Sequence, residues 1–179
     1  MRYYKKFLGS EEAEELLLYL SDSSKVSWET EEFRIFGKKV LAPRSLCWFG
    51  DVGLNYRYTG IDHVCDGWPS WLDKLKAKIQ KTTEEKFNFV LMNRYEDGQQ
   101  YMGWHRDNER GWSTEIASLS LGAERRFLLD DSSADGRVVL KLEHGSLICF
   151  DGSMRHCLPK TKADLGSRVN LTFRSISPC

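Results

Sequence analysis

Near its C-terminal end the chain reads Arg168-Val169-Asn170-Leu171-Thr172-Phe173-Arg174. Side chains on a β-strand repeat every two residues, so Arg168, Asn170, Thr172 and Arg174 share one face while Val169, Leu171 and Phe173 share the other. A helix would scatter both sets around its axis. The segment is therefore a strand, and any fold for this chain must seat two arginines around an asparagine on one side of a sheet. That face can turn to water, although Lys, Glu and Thr serve a solvated face more typically. It can also enclose a small dianion, both arginines leaning inward over Cα atoms ~20 Å apart.

The neighbouring sequence supplies partners for such a strand. Phe87–Tyr95 is apolar on both faces, as a strand covered on both sides requires. Ile116–Leu121, Phe127–Leu129, Val138–Leu142 and Ser146–Phe150 are short and separated by polar turns, and Asp135-Gly136 signals a tight hairpin. Two helices precede them. Ser10, followed by Glu11, Glu12, Glu14 and Glu15, reads as an N-cap with acids at the positive end of the dipole. That helix runs to about Leu20 with Leu16, Leu17 and Leu20 inward. A second spans about Pro69 to Lys81 and buries Trp71, Leu72, Leu75 and Ile79. Helices and strands do not alternate, so a parallel α/β sheet is unsupported. The expectation is a mainly β fold with flanking helices, a double-stranded β-helix or jelly roll.

Composition sets limits on partners. A length of 179 residues predicts one domain over residues 1–179, with a core at about 87–176. Acidic and basic residues cancel, so no global field favours nucleic acid or membrane. No apolar run approaches the ~18–20 residues of a membrane span, and the first residues lack a signal peptide's apolar core. Five cysteines without a C-x-x-C pair read as free thiols in a reducing compartment, cytoplasmic, or nuclear in a eukaryote. The charge is unevenly spread, however. Residues 11–32 carry eight acids against Lys25, which reads as a solvated face. Residues 33–46 carry Arg34, Lys38, Lys39 and Arg44 with no acid, interleaved with Phe33, Ile35 and Phe36. A basic loop with an apolar wedge suits nucleic-acid contact.

Redox-metal chemistry enters at His105-Arg106-Asp107. On an extended strand these positions i and i+2 point the same way and can bind one ion. His156 offers a third donor, and by spacing alone so do His63 and His144. Two histidines and one carboxylate with open positions are the ligand set of non-haem Fe(II) oxygenases. A short diacid whose carbonyl chelates iron, 2-oxoglutarate, fits both this set and the paired arginines. Asn93 and Tyr95, again i and i+2, add an amide and a phenol donor immediately upstream.

Together these segments resemble the AlkB family of 2-oxoglutarate-dependent nucleic-acid dealkylases. The resemblance runs from about Phe33 to the end. It rests on Phe87–Gly98, Met102–Arg110, His144-Gly145-Ser146, His156 and the Arg-x-Asn-Leu-Thr-x-Arg ending at residues 168–174. Upstream, Ile35-Phe36-Gly37, Pro43-Arg44, Gly50-Asp51-x-Gly53 and Tyr56-x-Tyr58-Thr59-Gly60 resemble its nucleotide-recognition region, a lid at about residues 33–66. The resemblance implies Fe(II) on His105, Asp107 and His156. It implies 2-oxoglutarate on Asn93, Tyr95, Arg168, Asn170, Thr172 and Arg174, and base or strand contacts from Phe36, Gly37, Tyr56, Tyr58, Asn108 and Glu109. The implied reaction hydroxylates an N-linked alkyl carbon. The adduct then collapses to aldehyde and repaired base, with succinate and CO2 as coproducts. 1-Methyladenine and 3-methylcytosine are cations that cannot pair, which makes them easier to flip out of a stack. The implied partner is DNA, single- or double-stranded, with RNA second, acted on by a monomer.

Two departures bear on strand choice. After Phe127, where duplex-gripping relatives are basic, this chain carries Asp130, Asp131 and Asp135. Phosphate neutralisation supplies most non-specific duplex affinity, so single strands are expected to serve at least as well. Asn108 stands where an acid is common. Competing readings are an oxygenase of the same fold acting on protein or lipid, a silent nucleic-acid binding module, and a cupin-type metal-binding jelly roll.

Overall fold

The computed structural model describes residues 1–35, 38–58, 61–108, 115–131, 136–163 and 165–177, with backbone alone at 33–35, 38, 56–58, 61–63 and 131. The chain opens with β1 (Arg2–Tyr4) and α1 (Ser10–Ser21), then β2 (Glu32–Ile35), β3 (Lys38–Leu41), β4 (Ser45–Gly50), β5 (Asn55–Tyr58) and β6 (Ile61–Val64). Helix α2 (Ser70–Thr83) leads into β7 (Phe89–Tyr95), β8 (Met102–His105), β9 (Glu115–Gly122) and β10 (Arg125–Asp131). Strands β11 (Gly136–Leu142), β12 (Ser146–Asp151), β13 (Arg155–Leu158) and β14 (Arg168–Arg174) complete it.

Two antiparallel sheets form the frame, a six-stranded β1-β12-β9-β14-β7-β4 and a four-stranded β11-β10-β13-β8. This is the jelly roll expected from the sequence. The pleat decides what each face meets. Val90 and Met92 of β7, Ala117, Leu119 and Leu121 of β9, and Val169, Leu171 and Phe173 of β14 join Ala13 and Leu20 of α1 and Leu72, Leu75 and Ile79 of α2 in one cluster. Each large apolar side chain buried there contributes about 1.5–3 kcal/mol. The opposite face of the six-stranded sheet meets the four-stranded one, where Ile116, Ile148 and Phe150 pack on Phe127, Leu129 and Leu142.

Several local expectations shift. Gly9, not Ser10, is the N-cap of α1, and no side chain caps that end. Pro69 precedes α2 as its N-cap, and the helix continues to Thr83. Strand β7 begins two residues later than expected. Asp131 pairs with Gly136, so four residues outside the described set separate β10 from β11 instead of a two-residue turn. Strands β2 and β3 pair antiparallel, Glu32 opposite Leu41 and Ile35 opposite Lys38, where the sequence suggested a loop. Arg44 is 5% exposed and cannot act as a surface cation. Four cysteines are free and buried. No helix among the described residues is long and apolar enough to cross a membrane.

Candidate active site

The polar face of β14 is enclosed. Arg168, Asn170, Thr172 and Arg174 line a cavity of about 180 Å³ between the two sheets, together with Leu91, Asn93 and Tyr95 of β7 and Ser118 of β9. His105, Asp107 and His156 line its other side. Register explains the meeting. Asn170 lies opposite Asn93 and Arg168 opposite Tyr95 across β14–β7, while His156 lies opposite His105 across β13–β8.

One ligand atom from each of His105, Asp107 and His156 falls within 4.8 Å of the others. His105 Nε2 is 3.7 Å from Asp107 Oδ1, and His156 Nε2 is 3.6 Å from Oδ2. Both rings are oriented from behind. His105 Nδ1 sits 2.8 Å from Gly103 O, and His156 Nδ1 sits 2.8 Å from Met154 O. A carbonyl can only accept, so each Nδ1 carries a proton, which leaves Nε2 of each ring as the nitrogen aimed at the centre for a metal to take. Burial and the neighbouring His156 hold the His105 imidazole below its ordinary pKa, against the pull of Asp107, and so favour the neutral form that binds metal. Burial would raise the Asp107 carboxyl, but Arg174 and the two histidines outweigh it and hold it well below the usual range. The Arg174 Nη2 group donates to Asp107 Oδ2 at 2.7 Å.

Asp107 does not lie on the strand. It follows the end of β8 and is fixed by its N–H donating to Gly152 O at 2.8 Å. Gly152 must be glycine for this approach, because a Cβ there would stand 2.6 Å from Asp107 O. Gly152→Ala is therefore expected to displace Asp107 and to weaken Fe(II) binding about tenfold in an anaerobic titration, the scale of losses from disturbed ligand supports. Unchanged affinity would show that Asp107 tolerates the shift.

The diacid end is built differently. Arg168 is 2% exposed and donates through Nη2 to Ser120 Oγ at 3.0 Å. Its Nε and Nη1 are buried without a partner among the described residues. Burial pushes its pKa down to about 10. A buried guanidinium with two donor nitrogens unused is costly unless an anion arrives. Asn93 is oriented by Arg44, whose Nε donates to Asn93 Oδ1 at 2.8 Å, leaving the amide nitrogen as its donor end. Asn170 is occupied within the scaffold. Its Nδ2 donates to Ser118 Oγ and Leu119 O, and its Oδ1 accepts from Thr172 Oγ1.

His144 is committed elsewhere, accepting from the Gly122 N–H at 2.9 Å. The side chain of His63 lies outside the described residues, as do Phe36, Gly37 and Glu109 and the side chains of Tyr56 and Tyr58. Asn108 is described and exposed. Ser118 and Ser120 are contributors that the sequence did not single out, and Arg44, read there as a cation of the basic stretch, instead orients Asn93. The polar alternation in Ile116-Ala117-Ser118-Leu119-Ser120-Leu121 was the available signal for the serines. Arg44 had none, because its partner lies 49 positions away.

Comparison with known proteins agrees with this geometry. Residues 1–174 match the 2OG-Fe(II) oxygenase superfamily. The chain is 36% identical over 192 residues to DNA oxidative demethylase ALKBH2 of Bos taurus, covering 98% of this chain and 68% of that one. It is 35% identical over 154 residues to Alpha-ketoglutarate-dependent dioxygenase alkB homolog 3 of Mus musculus, covering 76% and 52%. The solved structure of OsALKBH1 superposes with a TM-score of 0.70 at 19% identity, covering 97% of both chains, which establishes likeness of fold. With its jelly roll, its His-Asp-His cluster and matches that run nearly end to end, the chain belongs to the 2OG-Fe(II) oxygenase superfamily and, within it, to the AlkB-type enzymes.

Proposed function

We propose that this protein is an Fe(II)- and 2-oxoglutarate-dependent dioxygenase that removes alkyl groups from bases such as 1-methyladenine and 3-methylcytosine in DNA, with RNA as a secondary substrate. The observation that carries the reading is one cavity with a His-Asp-His cluster on one side and a buried, incompletely bonded Arg168 on the other. The donor chemistry fits the two groups it would take. Two imidazoles and a carboxylate suit Fe(II), and a buried guanidinium suits a carboxylate end. The names of the ALKBH2 relatives support DNA as the substrate.

His105, Asp107 and His156 would hold the metal, and Arg168, Tyr95 and Asn93 the diacid. When bound, Fe(II) and 2-oxoglutarate would activate O2, the diacid giving up two electrons on its conversion to succinate and CO2, so that O2 as the oxidant leaves one oxygen atom for hydroxylating the N-alkyl carbon. The chain's own residues prepare the site. Gly103 O and Met154 O fix both imidazole tautomers. Arg174 keeps Asp107 ionised and aimed. Phe127 and Phe150 pack on the His156 ring and keep water from that side. The hydroxymethyl base then releases formaldehyde, leaving the repaired base.

Matched oligonucleotides carrying one 3-methylcytosine, single-stranded and duplex, test the proposal with Fe(II), 2-oxoglutarate and O2. The expected result is one succinate and one formaldehyde per repaired base, with the single strand repaired at least as fast as the duplex. Succinate release with no loss of the methyl group from either strand form would overturn it.

A further inference from the structure

A second cavity, of about 560 Å³, opens beside the first and is lined by Arg106, Asp130, Gly136, Arg137, Ser153, Met154 and Arg155. Arg106 lines both cavities. Alternation along the strands creates this arrangement. His156 points inward from β13, so Arg155 points outward, and Arg106 separates His105 from Asp107. Across the four-stranded sheet Arg137 pairs with Asp130, and Asp130 pairs with Arg155. Three arginines thus gather around one acid at the strand ends that carry the His-Asp-His cluster.

An indole organises two of them. The guanidinium carbons of Arg137 and Arg155 lie 4.7 and 4.9 Å from the centre of the Trp104 ring. A guanidinium held over an indole keeps its N–H groups for a planar, bidentate acceptor. Asp130 engages Arg137 through Nε at 2.9 Å, an ion pair that offsets part of its charge. Arg155 makes no ion pair among the described residues, and Arg106 donates to Ser153 O. Arg137 and Arg155 thus flank Asp130 from its two neighbouring strands, one described carboxylate facing two guanidiniums, and a bound anion would supply the missing negative charge.

We infer that Trp104, Arg137 and Arg155, with Arg106 at the shared edge, form a phosphodiester-binding subsite that grips the strand carrying the base in the adjacent cavity. This rests on the nucleic-acid reading above and deepens it. It places the grip on the strand entering the metal site, and it makes the Asp130 carboxylate a brake on affinity that Arg137 only partly neutralises.

The test is fluorescence anisotropy with a labelled single-stranded oligonucleotide bearing one 3-methylcytosine, titrated into full-length protein at several salt concentrations. R155Q removes a cation that has no ion-pair partner among the described residues, and R137Q/R155Q removes both guanidiniums that lie over Trp104. The double variant is expected to bind about tenfold more weakly. Its slope of log K against log salt should fall by about 1.4, at ~0.7 for each single-strand phosphate that is no longer neutralised. D130N should act in the opposite sense and tighten binding about threefold. Wild-type affinity and salt slope in the double variant would overturn the subsite, as would equal competition from a polyglutamate peptide. Demethylation by the wild type, measured on the same oligonucleotide, judges the underlying reading separately. Binding without demethylation would refute the enzyme assignment while the anisotropy shifts still decide the subsite.

Discussion

Asp107→Ala is expected to abolish Fe(II) binding and turnover and, separately, to destabilise the metal-free protein by about 3 kcal/mol, the scale of breaking a buried ion pair. The two losses have one origin. Asp107 is 6% exposed, faces both imidazoles and accepts from Arg174 at 2.7 Å. His105→Ala and His156→Ala should also lose iron, but neither removes that ion pair, so their metal-free forms should melt closer to wild type. His144→Ala should retain iron, because His144 serves the Gly122 turn. Anaerobic Fe(II) titration and thermal melting of the metal-free proteins separate the two effects. Iron-dependent turnover surviving in Asp107→Ala would remove this residue from the metal site.

Acid should act on the same cluster. Folding lowers the pKa of both His105 and Asp107. The unfolded chain therefore takes up more protons, and stability must fall as pH drops. The contribution of His105 is complete above the ordinary histidine value of 6.5 and declines below it, while that of Asp107 declines only below the ordinary carboxylate value of 3.8. In Asp107→Ala the lower part of this decline should be missing from a series of melts against pH.

What the sequence disclosed depended on the range of the interactions involved. The alternation in β14 was legible because its period is local, and its burial could be argued because two arginines are a poor choice for a solvated face. β7, β9 and β12 carry enough apolar residues to be recognised singly. β1, β8 and β13 have only three or four residues each and exist because neighbours pair with them, as Tyr3 does with Ile148 and His156 with His105. No local pattern marks such strands. The histidines and Asp107 were identifiable by chemical type, whereas choosing His156 over His144 from the residues alone required knowing that His144 closes a turn. Arg125 shows the limit most clearly. It is 3% exposed and donates to the carbonyls of Asp97, Gln100 and Pro159, tying together loops that precede β8 and follow β13. In the sequence it is one of two adjacent arginines at a strand end, and nothing local separates it from Arg126, which points to solvent.

Arg168→Met is expected to raise the 2-oxoglutarate concentration needed for half-saturation about 100-fold without destabilising the protein in the absence of the diacid. Arg168 holds two donor nitrogens, Nε and Nη1, with no partner among the described residues. Hydrogen bonds to charged groups contribute about 1.5–3 kcal/mol each, so losing roughly 3 kcal/mol in all corresponds to about two orders of magnitude in affinity. The absence of a stability loss follows from the same burial. An uncompensated guanidinium at 2% exposure is a cost to the empty fold, and an apolar side chain of similar length removes it. The two effects oppose each other in a thermal melt. At a 2-oxoglutarate concentration 100 times the wild-type Kd, the ligand should stabilise wild type by about 2.7 kcal/mol and the variant by only about 0.4 kcal/mol. Thr172→Val should cost much less, since the Thr172 hydroxyl is neutral and already donates to Asn170. Anaerobic titration with Fe(II) present gives the affinities, and melts with and without 2-oxoglutarate give the stabilities. Equal affinity in wild type and Arg168→Met would remove the arginine from the diacid site. A variant that melts well below wild type without ligand would mean that Arg168 holds the sheet together instead of waiting for an anion.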